Sequence, residues 1–144
     1  MPLDHIVPNG KADVAAAQRA LDLGWPGVEP VIGDLLTWIQ DINWPVAGPL
    51  LPLFRSIGAP LAPYLWPVLQ GDDSIWKYWV IGMVLNGAPP ELFDEFVPLL
   101  ERIAYAPTQV ERDEGLDERA RDALDARTRT AHHRLASSEH EAET

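Results

Sequence analysis

The sequence predicts an all-α protein, a short HEAT-like α-solenoid of about three antiparallel helical hairpins plus a C-terminal closing helix. Apolar residues recur at spacings of three and four along most of the chain, which is the signature of amphipathic helices. Sustained alternation with period two, which a half-buried strand would show, is absent. Short motifs also recur at intervals of roughly 30 residues, which is typical of stacked helical hairpins.

Helices are predicted in chain order at residues 12–23, 29–42, 45–57, 60–70, 74–86, 90–104 and 115–128. The apolar stripes that support them include Val28, Val31, Ile32, Leu35, Ile39 and Ile42 on the second helix, Leu61, Leu65, Val68 and Leu69 on the fourth, Phe93, Phe96, Val97, Leu100, Ile103 and Ala104 on the sixth, and Leu116, Ala120, Ala123 and Leu124 on the last. Each stripe predicts one helix face that packs into a shared core.

Gly-x-Pro triplets separate several of these helices. They are Gly24-Trp25-Pro26, Gly58-Ala59-Pro60 and Gly87-Ala88-Pro89. Glycine just after a helix allows a left-handed cap, and proline fits the first turn of the next helix. The triplets therefore predict tight corners between helices.

Two further motifs repeat between the corners. The pattern D-x-x-W occurs at residues 41–44 and 73–76, each time before a predicted helix, and Pro-x-Leu occurs at 67–69 and 98–100. The spacings support a stacked array. Pro49, Pro52 and Pro63 fall within or near first turns or kink a helix, which favours a curved array over a regular four-helix bundle. An irregular bundle is the alternative.

The stretch GDDSIWKYW, residues 71–79, begins the helix with the most apolar surface. Asp72, Asp73 or Ser74 can cap its first turn. A stripe of Trp76, Trp79, Val80, Met83 and Val84 faces one side, and Tyr78, Ile81 and Leu85 face the other. A helix that is apolar nearly all round is a central one, so both tryptophans are predicted to lie in the core.

Lys77 is the only charged residue between Asp73 and Glu91. Its ammonium group can reach solvent along the helix surface while its stem packs. Alternatively it pairs with Asp72, Asp73 or Asp41 at a seam between two repeats.

Composition limits the function classes. The chain has 144 residues, a formal charge of −11 and no cysteine, which excludes disulfides, thiolate metal sites and thiol catalysis. The opening MPLDHIVPNGK lacks the features of a signal peptide, and the longest uncharged run, 56–71, is too short and proline-rich to span a bilayer. We therefore expect a cytoplasmic protein that binds neither membranes nor nucleic acid, since an acidic surface repels both. Solubility alone is another explanation of the charge.

The composition changes after Pro107. Residues 1–127 are predicted to form a single helical-repeat domain, and residues 128–144 a polar tail that is frayed or disordered. Three of the four histidines, His132, His133 and His140, lie in this tail. Adjacent histidines on such a segment do not form a preorganised metal site, so no metal is expected.

Several ordered motifs together resemble a known family. They are IVPNGKADV (6–14), LGWPGVEPVIGDLLTWIQDINWPV (23–46), which contains the start of NWPVAGP (43–49), DDSIWKYW (72–79), ERIAYAPT (101–108) and ERDEGLDERA (111–120). Over roughly residues 3–125 the chain resembles the bacterial domain-of-unknown-function family 5071. The resemblance implies a small HEAT-like helical domain without an assigned activity, and a family with some members near contact-dependent toxin and immunity loci. It supplies no catalytic residues.

Catalytic constellations are not visible in the sequence. Serine occurs only at 56, 74, 137 and 138, with no histidine nearby inside the domain, so an oriented nucleophile and base are not expected. The carboxylate pairs, such as Asp72-Asp73, fall at predicted helix starts and suit solvated caps. No cofactor is expected.

The sequence therefore predicts a non-catalytic protein–protein interaction domain with an unidentified, basic protein partner, and in a sharper version an acidic immunity or antitoxin-like protein. The alternative is a small-ligand binder or enzyme that uses a cleft around Trp44, Asp73 and Lys77. The candidate partner- or ligand-binding residues are Asp41, Asn43, Trp44, Asp72, Asp73, Lys77 and Tyr78. The oligomeric state is left open.

Overall fold

The structure is a computed structural model that describes the backbone of residues 3–143 and the side chains of residues 3–129. Within these ranges every regular element is helical, so the all-α prediction is confirmed. In this part of the chain no helix has both the length and the apolar character needed to cross a membrane.

The helices follow the predicted order closely. They are α1 (Val14–Leu23), α2 (Ile32–Thr37), α3 (Ala47–Ile57), α4 (Ala62–Gln70), α5 (Ser74–Trp79), α6 (Pro90–Tyr105), α7 (Gln109–Asp113) and α8 (Leu116–Glu143). Short 3₁₀ turns occupy Asp4–Ile6, Glu29–Val31 and Ala59–Leu61, and a π-helical segment, Val80–Leu85, continues α5 without a break. The short helix α7 was not predicted.

The second predicted helix ends five residues early, at Thr37. After Thr37 the backbone N–H groups of residues 38–40 bond to carbonyls three residues back, and the chain then turns around Asp41 instead of resuming the helix. The Asp41 side chain accepts from the backbone N–H of Asn43 at 2.8 Å, and its carbonyl accepts from the N–H of Trp44 at 3.1 Å. A side chain that bonds its own backbone in this way competes with helical hydrogen bonding.

Glycines define the predicted corners. Gly24, Gly58 and Gly87, the first residues of the three Gly-x-Pro triplets, all have positive φ values, between 69° and 86°. Gly115, between α7 and α8, is the fourth described residue with this geometry, at 73°. Side chains other than glycine rarely adopt this conformation, so these positions direct where the chain reverses.

A continuous apolar core connects all the long helices. Its largest fully buried side chains include Phe54 on α3 and Phe93 and Phe96 on α6. Helix α1 packs on α3, which also contacts the π-helical segment, and α8 packs on both α6 and that segment. The buried face of α8 carries small residues such as Ala120 and Ala123, which let its backbone approach closely.

Three of the described helices contain an internal proline. Pro52, Pro67 and Pro98 lie within α3, α4 and α6, where each removes one backbone donor. Pro63 lies in the first turn of α4, where the missing N–H would have no intrahelical partner anyway.

The backbone of α8 continues as a helix to Glu143. The side chains of residues 130–144, including those of His132, His133 and His140, lie outside the described residues. The frayed or disordered tail at 128–144 therefore stays a prediction.

Candidate functional site

A cleft of about 510 Å³ separates α5 from the corner between α7 and α8, and we call it the α5–α8 cleft. One wall comes from α5 and the other from the end of α7 and the first two turns of α8. The lining residues are Ser74, Ile75, Tyr78 and Trp79 on the first wall and Asp113, Glu114, Gly115, Glu118, Arg119 and Asp122 on the second.

Local capping fixes the first wall. Asp73 is the N-cap of α5, and its carboxylate accepts a hydrogen bond from the backbone N–H of Trp76 at 3.0 Å. The predicted capping role of the GDDS stretch therefore falls on Asp73. The cap sets where α5 begins and so directs Tyr78 and Trp79, about one turn later, toward α8.

An ion pair fixes the second wall. Arg102 on α6 donates to both carboxylate oxygens of Glu111 on α7, each at 2.7 Å. Glu111 is only 7 % exposed and also forms a capping box with Thr108, which starts α7. The hydrogen bonds from Arg102, followed by those from Thr108, lower the pKa of the Glu111 carboxyl from 4.5 to about 2 although burial opposes this. The pair therefore ties the α7–α8 corner to α6.

Arg119 connects the two walls of the cleft. Its guanidinium carbon lies 4.0 Å from the centre of the Tyr78 ring and 5.6 Å from that of Trp79. Its Nε–H donates to the carbonyl oxygen of Tyr78 at 3.4 Å. The two rings meet edge to face, with their centres 5.1 Å apart. Arg119 thus makes a cation–π contact with an aromatic surface, and such a contact contributes about 0.5–2 kcal/mol.

A glycine makes this contact geometrically allowed. Gly82 lies one turn after Tyr78, in the π-helical segment, and a Cβ atom built there would overlap the Arg119 side chain. The segment is recognisable by the hydrogen bond from the N–H of Asn86 to the carbonyl of Ile81, five residues back. Such segments are rare in proteins overall, but where they occur they are often found at functional sites.

The charges of the cleft are unpaired. Asp113, Glu114, Glu118 and Asp122 line the same cleft, yet within residues 3–129 none of them forms an ion pair with Arg119. The Nη1 and Nη2 atoms of Arg119 make no described hydrogen bond. Asp113 accepts a hydrogen bond from the side chain of Gln109 at 2.8 Å, whereas the other three carboxylates accept none from the described side chains. The Nη atoms of Arg119 and these three carboxylates therefore remain available to groups from another molecule.

Trp79 corrects the prediction that both tryptophans lie in the core. Its ring is partly exposed and lines the cleft, because α8 meets this face through a charged arginine instead of an apolar side chain. Trp76 is partly buried, packs against the core and donates its indole N–H to the carbonyl of Leu36 at 3.2 Å. Ile75, beside Trp79 in the cleft, is 59 % exposed.

The residues predicted as a site are found in separate places. Tyr78 lines the α5–α8 cleft, Asp73 caps α5, and Asp72 is exposed. Lys77 is partly exposed and, within the described residues, forms no ion pair with any of the three aspartates suggested as its partners. The pairing at a seam between repeats is therefore not formed, and the alternative, a packed stem with a solvent-facing ammonium group, stays a prediction.

The first D-x-x-W motif stands apart from the second. Asp41 and Asn43 form the turn before α3, and Trp44 packs edge-on against Trp38 with ring centres 5.8 Å apart. No hydrogen bond, ion pair or aromatic contact of the described residues joins this motif to Asp73 or Lys77.

Sequence reasoning missed Arg119, Gly82 and the acidic residues that share the cleft with Tyr78. Arg119 and Tyr78 are 41 residues apart, so no local pattern connects them. The single glycines Gly82 and Gly115 were a weak signal, since a glycine can admit a neighbouring side chain; a Cβ at Gly82 would meet Arg119, and one at Gly115 would lie 3.9 Å from Tyr78. Residues 3–129 contain no group of three or more His, Asp or Glu side chains that could hold a metal ion.

Comparison with known families gives one match. Residues 6–124 match the model of a family described as a domain of unknown function (DUF5071), and this range contains every residue that lines the cleft. The match confirms the resemblance that the sequence motifs suggested. No curated protein matches the chain.

Proposed function

The chain belongs to the DUF5071 family of domains of unknown function, and we propose that it is a non-catalytic protein–protein interaction domain that docks a basic partner on the α5–α8 cleft. One observation carries the proposal. Tyr78 and Trp79 on one wall and Arg119 on the other form a single cluster across the cleft, and the wall that carries Arg119 also presents four carboxylates.

The residue types in the cluster favour a protein partner. Tryptophan, tyrosine and arginine are the residues that contribute most to binding energy at protein interfaces. Here they are already ordered against one another, so little side-chain freedom is lost on docking. The exposed side chain of Ile75 adds apolar area at the edge of the cluster.

The charges favour a basic partner. Asp113, Glu114, Glu118 and Asp122 surround the cluster, and the whole chain carries a formal charge of −11. Such a field accelerates the approach of a basic protein and its alignment, by an amount that falls as salt rises. An acidic immunity or antitoxin-like protein that neutralises a basic toxin is the specific form of this proposal.

The finer architecture belongs to the same proposal. We propose that the helices stack as a short HEAT-like array in the cytoplasm. The three Gly-x-Pro corners with positive φ support the array, as does the packing of α1 on α3 and of α6 on α8. Such arrays present an extended concave face on which partners bind.

The test is affinity capture from host lysate at low and moderate salt, followed by measured affinities for the partner that is recovered. We expect Glu118→Lys combined with Asp122→Lys to weaken binding about tenfold or more. The matched control, Asp22→Lys combined with Glu29→Lys, has the same change of charge at exposed positions outside the cleft. It should weaken binding much less, and only through the overall field.

Two outcomes would contradict the proposal. One is a recovered partner that binds the cleft variant with the same affinity as it binds the control variant. The other is the absence of any specifically retained protein at either salt concentration, with wild-type protein as bait.

A further inference from the structure

We propose that a second cleft, one helical turn further along α8, binds a small oxyanion, either a carboxylate or a phosphate group, between Arg55 and Arg127. This inference does not depend on the proposed function. The cleft measures about 480 Å³, which is within the range of small-molecule sites. Its lining residues are Arg55, Gly87, Ala88, Pro89, Pro90, Glu91, Phe93, Ala126 and Arg127.

Arg127 supplies the first observation. Its Nε atom is buried and has no hydrogen-bond partner, and it is the one such buried side-chain atom among residues 3–129. Its Nη2 atom lies 3.5 Å from the exposed carboxylate of Asp94, which is a long and therefore weak ion pair. A buried donor without an acceptor costs free energy. Because Arg127 lines the cleft, we infer that an oxyanion bound there turns the guanidinium toward itself and supplies the missing acceptor.

Arg55 supplies the second observation. Its Nε and Nη2 atoms both donate to the carbonyl of Met83, at 3.0 and 2.7 Å, which holds the guanidinium at the end of the π-helical segment. The Nη1 atom makes no described hydrogen bond. The side chain is therefore already oriented before any ligand arrives, and it contributes a donor and a positive charge.

The other lining residues of this cleft offer few hydrogen-bond donors. Pro89 and Pro90 have no backbone N–H, and Ala88 and Phe93 present apolar surface. Hydrogen bonds to a ligand thus come mainly from the two guanidinium groups. Glu91 is exposed and is the one carboxylate among the lining residues, where two arginines face it. Asp94, the weak partner of Arg127, is not among the lining residues.

The chemistry of the ligand follows from these groups. Guanidinium groups match the oxygen spacing of carboxylates and phosphates and form charge-assisted hydrogen bonds with them. The apolar walls leave room for a short apolar part attached to the oxyanion. Carboxylate and phosphate share this recognition, and only measurement separates them.

The experiment is a ¹⁵N–¹H NMR titration of the full chain with sodium phosphate and, separately, with sodium acetate. Sodium chloride maintains constant ionic strength. We expect saturable shifts at the backbone amides of Gly87 and Ala88 with at least one of the two anions. Saturation with phosphate alone assigns a phosphate-bearing ligand, and saturation with acetate alone assigns a carboxylate.

Variants locate the site. Arg127→Gln should weaken the saturable binding about tenfold or more, because it removes the charge and the buried donor. Arg55→Gln is a second variant in case the first does not fold, and circular dichroism checks both. Arg121→Gln is the matched control. Like Arg127, Arg121 lies on α8, and like Arg55, it donates to a backbone carbonyl, that of Ala104, but it lies outside the cleft.

The control should bind like wild type. The proposal is overturned if neither anion produces saturable shifts beyond those of chloride. It is equally overturned if Arg121→Gln loses as much affinity as Arg127→Gln and Arg55→Gln.

Discussion

Arg102 and Arg119 both contact the region around the α7–α8 corner, but their guanidinium groups are held in opposite ways. Arg102 makes two charged hydrogen bonds to the buried carboxylate of Glu111. Arg119 lies on the ring of Tyr78, makes one long hydrogen bond to a carbonyl, and leaves its Nη atoms unpaired beside several carboxylates. The comparison teaches that two arginines at one corner can differ in whether the fold itself uses their donors: both Nη atoms of Arg102 are bonded to Glu111, whereas those of Arg119 are bonded to no described residue.

Removing the two arginines should have unequal effects on stability. Arg102→Ala leaves the Glu111 carboxylate buried without its partner, so we expect a loss of about 3 kcal/mol in the free energy of unfolding. Arg119→Ala removes an aromatic contact and a weak hydrogen bond, so its loss should be about 1 kcal/mol. Urea unfolding followed by circular dichroism measures both. Equal losses would remove the distinction between the two sites.

The ion pair should also make stability depend on pH. The folded-state pKa of Glu111 is about 2, against the usual 4.5, so the unfolded chain binds the proton more readily. The stabilisation is therefore fully present above about pH 5 and is lost as the pH falls through 4.5 toward 2. We expect this contribution to reach about 2 kcal/mol, since Arg102 is half exposed and solvent screens the pair.

Glu111→Gln is the control for this pH effect, because glutamine keeps the shape but does not titrate. Urea unfolding between pH 7 and pH 3 should show a shallower decline for the variant than for wild type. Parallel declines would mean that other carboxylates cause the acid sensitivity and that the Arg102–Glu111 pair does not dominate it.

The parts of the fold that were predictable depend on local chemistry. Gly24, Gly58 and Gly87 have positive φ at the predicted corners, and Asp73 caps α5 through its own backbone neighbours. Each of these residues lies within a few positions of the corner or helix start that it determines, so the sequence around it is sufficient for the prediction. The capping box of Thr108 and Glu111 is equally local and was overlooked, which is why α7 was missed.

The cleft was unpredictable for a different reason. Tyr78 was a candidate on the grounds of residue type, but its neighbour Arg119 lies on α8, 41 residues further along the chain and beyond α6 and α7. Contacts across such a separation depend on how the helices pack. Trp79 shows the same limit, since its apolar spacing predicted burial, whereas a charged residue on α8 leaves it partly exposed.

The smallest expected effect on stability, and the most informative about the cleft, concerns Gly82. A Cβ atom at this position overlaps the Arg119 side chain, so Gly82→Ala should displace the guanidinium from the Tyr78 ring. Alanine favours a helix over glycine by about 1 kcal/mol, which offsets the lost aromatic contact. We therefore expect the free energy of unfolding to change by less than about 1 kcal/mol.

NMR distinguishes displacement from an unaltered cleft. The Arg119 guanidinium lies over the ring of Tyr78, so the side-chain protons of Arg119 should resonate upfield in wild type and move toward ordinary positions in Gly82→Ala. Gly48→Ala is the matched control, because a Cβ added at Gly48 on α3 meets no atom within 4 Å. Upfield resonances that persist in Gly82→Ala would show that Arg119 does not need the glycine. If the Arg119 side chain is displaced while the free energy of unfolding stays unchanged, Gly82→Ala can be used to test binding alone. A loss of partner binding by this variant could not then be attributed to unfolding.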